Sequence, residues 1–257
     1  MPALKLTRRQ GLTALLATLL PASLPVTARA GRPLRIGMIG AGHVGSTLGH
    51  LWNRAGHQIM FADVKKEAAN RLASELYPLA RTGTVQEAAR FGDAVVLAVP
   101  YGALPQLGHA IGTTIGSKPL IDATNPYGWR DGKIGRLALK KGAGIVTQAV
   151  FPSASVVRAF NSEDMTTLAA QTWRTPPRMA LPMAGDVTQA LYTAGWLIHD
   201  AGFDPVMVGP LSAATLFQPG HPGFEAQMNA TDLRNLLGVA ADNPINRNLA
   251  TQFAGGM

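Results

Sequence analysis

The chain contains no cysteine, and only 15% of its 257 residues are charged. The first absence excludes disulfides and thiolate metal sites and is compatible with an oxidising compartment. The second works against nucleic acid as a partner. A formal charge of +8 suggests a basic protein, but Lys5, Arg8, Arg9 and Arg29 supply four of those charges and no acid lies before residue 31. The rest of the chain carries +4, with no basic run interleaved with aromatics, so no nucleic-acid face is expected. A membrane span is missing too. The apolar N-terminal run, Gly11 to Val26, has 16 residues and is interrupted by Pro21 and Pro25, whereas a spanning helix takes about 20. There is no internal repeat, no low-complexity tract and no ligand-spaced set of His, Asp and Glu, so no metal is expected.

What the N-terminus has instead is the layout of an export signal. Lys5, Arg8 and Arg9 precede the apolar run, and Ala28-Arg29-Ala30 follows it as a small-x-small cleavage pattern. The paired arginines in Thr7-Arg8-Arg9-Gln10-Gly11-Leu12 resemble the twin-arginine type, with Gly11 where that motif often has Phe. Residues 1–30 are therefore expected to be a signal peptide and the mature protein to be periplasmic, with no membrane span left once the signal is removed.

Residues 35–63, RIGMIGAGHVGSTLGHLWNRAGHQIMFAD, carry the most information. Ile36, Met38 and Ile39 make a short strand that runs into Gly40-Ala41-Gly42-His43-Val44-Gly45. Helical spacing of Val44, Leu48, Leu51 and Trp52 follows, then Gly56 as a stop. Ile59 to Phe61 make a second strand, which ends at Asp63. Strand, Gly-x-Gly-x-x-Gly, helix, strand and acid form the context in which this motif binds a dinucleotide. Gly40 permits the tight turn, Gly42 leaves room for a pyrophosphate at the backbone, and Gly45 lets helix and strand pack closely. The helix N-terminus then offers free N–H groups and partial positive charge to the phosphates. Asp63 lies 23 residues after Gly40, near the ~20 expected of an acid that binds the ribose 2′-hydroxyl. That favours NAD. Lys65 and Lys66 follow directly and either hold a 2′-phosphate or are solvated lysines opening a helix, so the cofactor is NADP or NAD.

Beyond this unit, helices are expected over 68–79, 86–91 and 188–201. Buried strands ending in loop residues are expected at 93–100 and 119–126, and further strands at 155–160, 179–183 and 205–208. Alternating strands and helices argue for an α/β fold with one doubly wound parallel sheet, a Rossmann fold with a C-terminal α/β extension. The expected division is a dinucleotide-binding domain over 31–150, an extension over 151–238 completing the sheet and acceptor pocket, and a tail over 239–257. The tail has few large apolar residues and is either loosely ordered or docked on a partner. A homo-oligomer is compatible with the sequence.

The phrases DAVVLAVPY, IDATNPY, SVVRAFN, LPMAGD and GFDPVMVGPLSAATLFQPG, together with the glycine motif, resemble the NADPH-dependent coenzyme F420 reductase family over roughly residues 34–238. The resemblance implies hydride exchange between a nicotinamide and a small-molecule or flavin-like acceptor. It implies that Ala41 to Val44 touch the pyrophosphate, that Val99, Pro100 and Ala159 border the nicotinamide, and that Asn125 and Pro126 lie beside it. Where such relatives carry a Ser-Arg pair for the 2′-phosphate, this chain has Asp63-Val64.

Hydride transfer between two rings needs alignment more than an acid or base, and no catalytic residue is assigned. Tyr101 either stacks on a ring or closes the core. Asn161 and His221 are candidates for the acceptor pocket, and Trp129 and Arg130, in NPYGWRDG, lie on a loop at the ligand-binding edge where they can contact substrate. His43 either caps the phosphates or faces solvent, and His199 reads as a helix-end residue. Two other functions fit the first half of the chain. A hydroxy acid dehydrogenase or imine reductase is one, although the former class needs a lysine on a later long helix and Lys141 is the last lysine here. A non-catalytic dinucleotide sensor is the other.

Overall fold

Alternation of apolar residues fixes the first strand's place in the sheet. In β1 (Arg35–Ile39), Ile36 and Met38 point into one core layer and Ile39 into the other. A strand with apolar side chains on both faces must be covered on both, and the connecting helices do this. The computed structural model describes residues 33–240 and 242–254; the expected signal peptide lies outside them. After β1 come α1 (His43–Arg54), β2 (Gln58–Ala62), α2 (Lys66–Glu75), β3 (Ala80–Thr82), α3 (Val85–Phe91), β4 (Ala94–Leu97), α4 (Leu104–Ile115) and β5 (Pro119–Asp122). The later elements are α5 (Gly132–Lys141), α6 (Ala143–Val150), β6 (Ser155–Ala159), α7 (Met165–Gln171), β7 (Ala180–Gly185), α8 (Thr188–Asp200), β8 (Asp204–Gly209), α9 (Ala230–Leu236) and α10 (Pro244–Ala254).

All eight strands join one sheet in the order β3-β2-β1-β4-β5-β6-β7-β8. It is a mostly parallel Rossmann-like α/β sheet. β1, β2 and β3 run outwards to one edge, and β4 then starts in the other direction from β1. This reversal opens a crevice at the carboxyl ends of β1 and β4, where such sheets bind ligands.

One core layer holds Trp52, Phe61, Phe160 and Phe203, and the other holds Tyr101, Leu104, Ile111 and Phe151. Trp52 ties the two halves of the sheet together. Its ring meets Phe160 edge-on at 5.3 Å, and its N–H donates to the Leu197 carbonyl of α8 at 2.8 Å. α3 begins with a capping box between Thr84 and Glu87, which satisfies two otherwise free donors.

Three elements differ from the sequence reading. The helix expected over 68–79 stops at Glu75, because Pro78 disfavours helix at the residue before it, and Ala80–Thr82 forms an edge strand. β7 runs antiparallel to β6, whereas the rest of the sheet pairs in parallel. An apolar run carries no mark of direction, so the sequence expected parallel pairing. The tail forms α10 and docks on its own chain. Leu249 is buried against Gly195 of α8, and Asn246 receives the Met207 N–H at 2.7 Å and donates to the Met207 carbonyl at 3.0 Å. Pairing with β8 covers a sheet edge that would otherwise present free donors and acceptors. Among the described residues no helix is long and apolar enough to cross a membrane.

Candidate functional site

The glycine loop bridges β1 and α1 at the crevice. Gly40 has φ +107°, and a Cβ there would collide with the Ala98 carbonyl. At Gly45 a Cβ would collide with the Gly40 carbonyl. These two glycines are required by the fold itself. Gly42 is different: a Cβ there would meet no atom within 4 Å. It faces open space, where a bound group would approach. α1 starts with Gly42 as its cap and has no acidic residue in its first turn and no side chain capping it. Its first N–H groups are thus left for an anion.

Asp63 does something that spacing alone does not reveal. One carboxylate oxygen accepts the Ala41 N–H at 2.6 Å, and the other accepts the Lys65 N–H at 2.8 Å. The acid expected at the ribose also braces the glycine loop from below. Val64 beside it is 98% exposed.

Two cavities flank the loop. One, of about 270 Å³, is lined by Asp63, Lys66, Asn70, Thr82, Gly83, Thr84 and Glu87 at the ends of β2 and β3. The other, of about 410 Å³, lies across the loop. Gly42, His43, Val44, Ala98, Val99, Pro100, Thr124, Asn125, Tyr127, Arg130, Glu163, Asp164, Met165, Phe224 and Glu225 are among its lining residues. Two cavities on either side of a glycine loop that is open at Gly42 suit a dinucleotide with one ring system in each.

The larger cavity rests on a buried polar network. Arg158 and Asp122, both fully buried, pair at 3.0 Å. Asp122 also accepts from the Thr124 N–H, the Thr124 hydroxyl and the Thr147 hydroxyl at 3.0, 2.6 and 2.7 Å. Arg158 donates to the Thr124 carbonyl and to Asn125 Oδ1. The Thr124–Asn125 turn in the cavity wall is therefore fixed by a charge pair below it. Burial pushes Asp131 up, but hydrogen bonds from Arg130 and from the Tyr127 and Gly102 N–H groups outweigh that and leave it below the usual carboxylate range. Arg130 in turn lies over the Tyr127 ring at 4.9 Å.

Six of the residues named from sequence, Gly42, His43, Val44, Val99, Pro100 and Asn125, meet in the larger cavity, and Asp63 and Lys66 in the smaller. Gly40, Ala41 and Gly45 build the buried floor of the loop, and exposed Lys65 flanks the smaller cavity. Pro126 is buried behind Asn125. Ala159 lies within β6, in the core. Asn161 is buried too; its amide N–H groups go to the Phe217 carbonyl at 3.0 Å and Asn125 Oδ1 at 3.3 Å, while its Oδ1 has no partner among the described residues. Tyr101 closes the core instead of stacking on a ligand. It is fully buried, and its hydroxyl donates to the Ala143 carbonyl at 2.7 Å and lies 3.1 Å from the Thr147 hydroxyl. Trp129, 85% exposed, and His221, on a surface turn, line neither cavity. His199 stacks on Phe253 at 4.0 Å.

Arg130, which the sequence puts on a loop at the ligand-binding edge, does line the larger cavity; sequence reasoning missed Tyr127, Glu163, Asp164, Phe224 and Glu225. Glu163 and Asp164 follow the carboxyl end of β6, the position where α/β sheets bind ligands, so a signal for them was available. Phe224 and Glu225 had none: a loop from beyond β8 carries them across the crevice, with the Glu225 N–H donating to the Ser162 carbonyl at 2.7 Å.

Residues 35–126 match the family described as NADP oxidoreductase coenzyme F420-dependent. Among solved structures, a hypothetical protein of Sinorhizobium meliloti is similar at 22% identity, with 77% of this chain and 96% of that one covered and a TM-score of 0.64. A protein of Arthrobacter sp. FB24 provisionally named an F420-dependent NADP-reductase is similar at 18% identity, with 71% and 87% covered and a TM-score of 0.58. The 3-hydroxyisobutyrate dehydrogenase of Mycobacterium tuberculosis is similar at 16% identity, with 72% of this chain but 57% of that one covered and a TM-score of 0.54. No protein of curated function matches the chain.

Proposed function

Given that residues 35–126 match the F420-dependent NADP oxidoreductase family, we propose that this protein is an oxidoreductase passing hydride between a nicotinamide dinucleotide and a small-molecule or flavin-like acceptor. One observation carries the reading: two cavities flank a glycine loop whose middle glycine faces open space while its outer two are sterically locked. Asp63 and Lys66 in the smaller cavity would hold the adenosine half, the first N–H groups of α1 would hold the diphosphate, and Val99, Pro100 and Asn125 in the larger cavity would border the nicotinamide. The nicotinamide supplies the hydride. The chain supplies alignment: the braced loop fixes one ring and the Arg158-supported turn fixes the wall beside it.

Asp63 is held in the loop by two N–H groups, and Lys66 lines the smaller cavity. This arrangement favours the 2′-phosphorylated cofactor. Titration by nicotinamide fluorescence is expected to show NADPH binding at least about tenfold tighter than NADH at low salt, a gap of about 1.4 kcal/mol, that narrows as salt screens the lysines. Gly42→Ala should fold normally, since its Cβ meets no protein atom, yet bind the dinucleotide roughly tenfold more weakly or worse. Normal affinity in that variant, or no binding of either cofactor by the wild type, would remove the basis of this reading.

We further propose export, with residues 1–30 as a twin-arginine signal. That route carries folded proteins, so the nucleotide is loaded in the cytoplasm before transfer. Protein recovered from a periplasmic fraction is expected to lack residues 1–30 and to release a dinucleotide on denaturation. Full-length protein confined to the cytoplasm would contradict it.

A further inference from the structure

We propose that the acceptor presents a C=N bond and that Glu163 gives the acceptor nitrogen its proton before hydride adds to the acceptor carbon. This rests on the nicotinamide reading above and names the class of substrate for the same site.

The geometry begins with a carboxyl group only one of whose oxygens has a partner in the fold. Glu163 is 6% exposed and lines the larger cavity with Gly42, Val44 and Pro100. Its Oε1 accepts the Gln227 N–H at 3.3 Å, and its Oε2 is buried with no partner. A buried polar atom without a partner is costly, and the residue that carries it lines the cavity left for a ligand. Burial raises the Glu163 carboxyl to about 7, and the charges of Glu225 and Asp164 push in the same direction against the Gln227 N–H. Near neutral pH the group therefore still holds a proton that it can donate.

The charges around it select the acceptor. Asp164 spends its carboxylate on the Thr166 and Thr167 N–H groups and the Thr167 hydroxyl. Glu225, exposed and at φ 56°, forms no ion pair among the described residues. Arg130 is already engaged by Asp131 and the Asn125 carbonyl. His43 and Tyr127 are the remaining titratable groups in the lining. The cavity thus has an excess of negative charge. A carbonyl acceptor would gather negative charge on oxygen beside Glu225 and Asp164, which like-charge repulsion opposes. An imine nitrogen is basic enough to take a proton before hydride arrives, and the iminium cation so formed is stabilised by the same carboxylates. Among the described residues no group of three His, Asp or Glu is disposed to hold a metal ion, so the charge is free for an organic cation.

The step balances. Hydride leaves C4 of the reduced nicotinamide and bonds to the acceptor carbon. The nitrogen lone pair has first taken the Glu163 proton as the new N–H bond, and the C=N π pair becomes the lone pair of the amine as hydride arrives. The nicotinamide is oxidised, the acceptor leaves as an amine, and the Glu163 carboxylate regains a proton from water.

The test follows oxidation of NADPH by the whole protein with three probes: the cyclic imine pyrroline, its ketone counterpart cyclopentanone, and flavin mononucleotide. Pyrroline is expected to give a kcat/KM at least about tenfold above the ketone. Glu163→Gln should lower kcat by roughly 100-fold or more with NADPH affinity unchanged, and Glu163→Asp should regain part of it. The acid form is required, so the wild-type rate should fall as pH rises through about 7, and the Gln variant should lose that inflection. Equal turnover of imine and ketone, an unaltered pH profile in Glu163→Gln, or no imine turnover by protein that binds NADPH would overturn the proposal. Failure to bind NADPH would instead overturn the reading of the site. Calorimetry with pyrrolidine then decides the rest: tighter binding to wild type than to Glu163→Gln supports the acid site, and equal binding refutes it.

Discussion

Asp122→Ala is expected to destabilise the protein by about 3–5 kcal/mol, a fall in Tm of roughly 10 °C for a chain of this size. The cause is the guanidinium it leaves behind. Arg158 is fully buried, its Nη1 loses the carboxylate 3.0 Å away, and its Nε already has no partner. Water does not reach it, so the charge stays uncompensated. Asp122 also receives three further hydrogen bonds, from the Thr124 N–H and the Thr124 and Thr147 hydroxyls, and these donors are stranded together. The double variant Asp122→Leu/Arg158→Met removes both charges and should lie much closer to the wild type, because replacing a buried pair with apolar residues avoids the desolvation cost. Thermal unfolding of the single and double variants checks this, and a single variant within about 1 kcal/mol of wild type would mean that the pair is hydrated. Dinucleotide affinity should fall in both variants, since Arg158 holds the Thr124–Asn125 turn of the cavity wall.

The second large effect is expected at Trp52. Truncation to alanine should cost about 3–5 kcal/mol, in the range for removing a buried aromatic side chain. Its ring is fully buried between α1 and α8 and touches Phe160, which holds the left-handed φ of 63° just after β6. Most of the loss is packing and not hydrogen bonding, because the Leu197 carbonyl that accepts the indole N–H also accepts the Ala201 N–H at 3.1 Å. Trp52→Phe keeps an aromatic ring and should lose less. Urea unfolding would show the midpoint falling with the slope unchanged. A lowered slope in Trp52→Ala would show instead that the β6–β8 half of the sheet unfolds separately from the rest.

The sequence marked the glycine loop more clearly than any other part of the site. Gly40, Gly42 and Gly45 act through local sterics, and each obeys a rule about turns and close approach that holds wherever strand, loop and helix follow one another. Asp63 was found by spacing, but not its hold on the Ala41 N–H, which depends on how β2 ends beside β1. Tyr101 and Asn161 show the limit on the other side. Both lie near strand ends, as site residues do, yet the Tyr101 hydroxyl is consumed by Ala143 and the Asn161 amide N–H groups by Phe217 and Asn125, partners far along the chain.

By itself, then, the sequence determined the strand and helix alternation, the crossover that carries the glycine motif and the end of the sheet that faces a ligand. These follow from side-chain periodicity and backbone sterics, which act over a few residues. Tertiary structure alone decided the antiparallel turn of β7, the docking of α10 and the meeting of Glu163 with Phe224 and Glu225 in one cavity. Those outcomes depend on which distant surfaces exclude water together, and no local pattern records them.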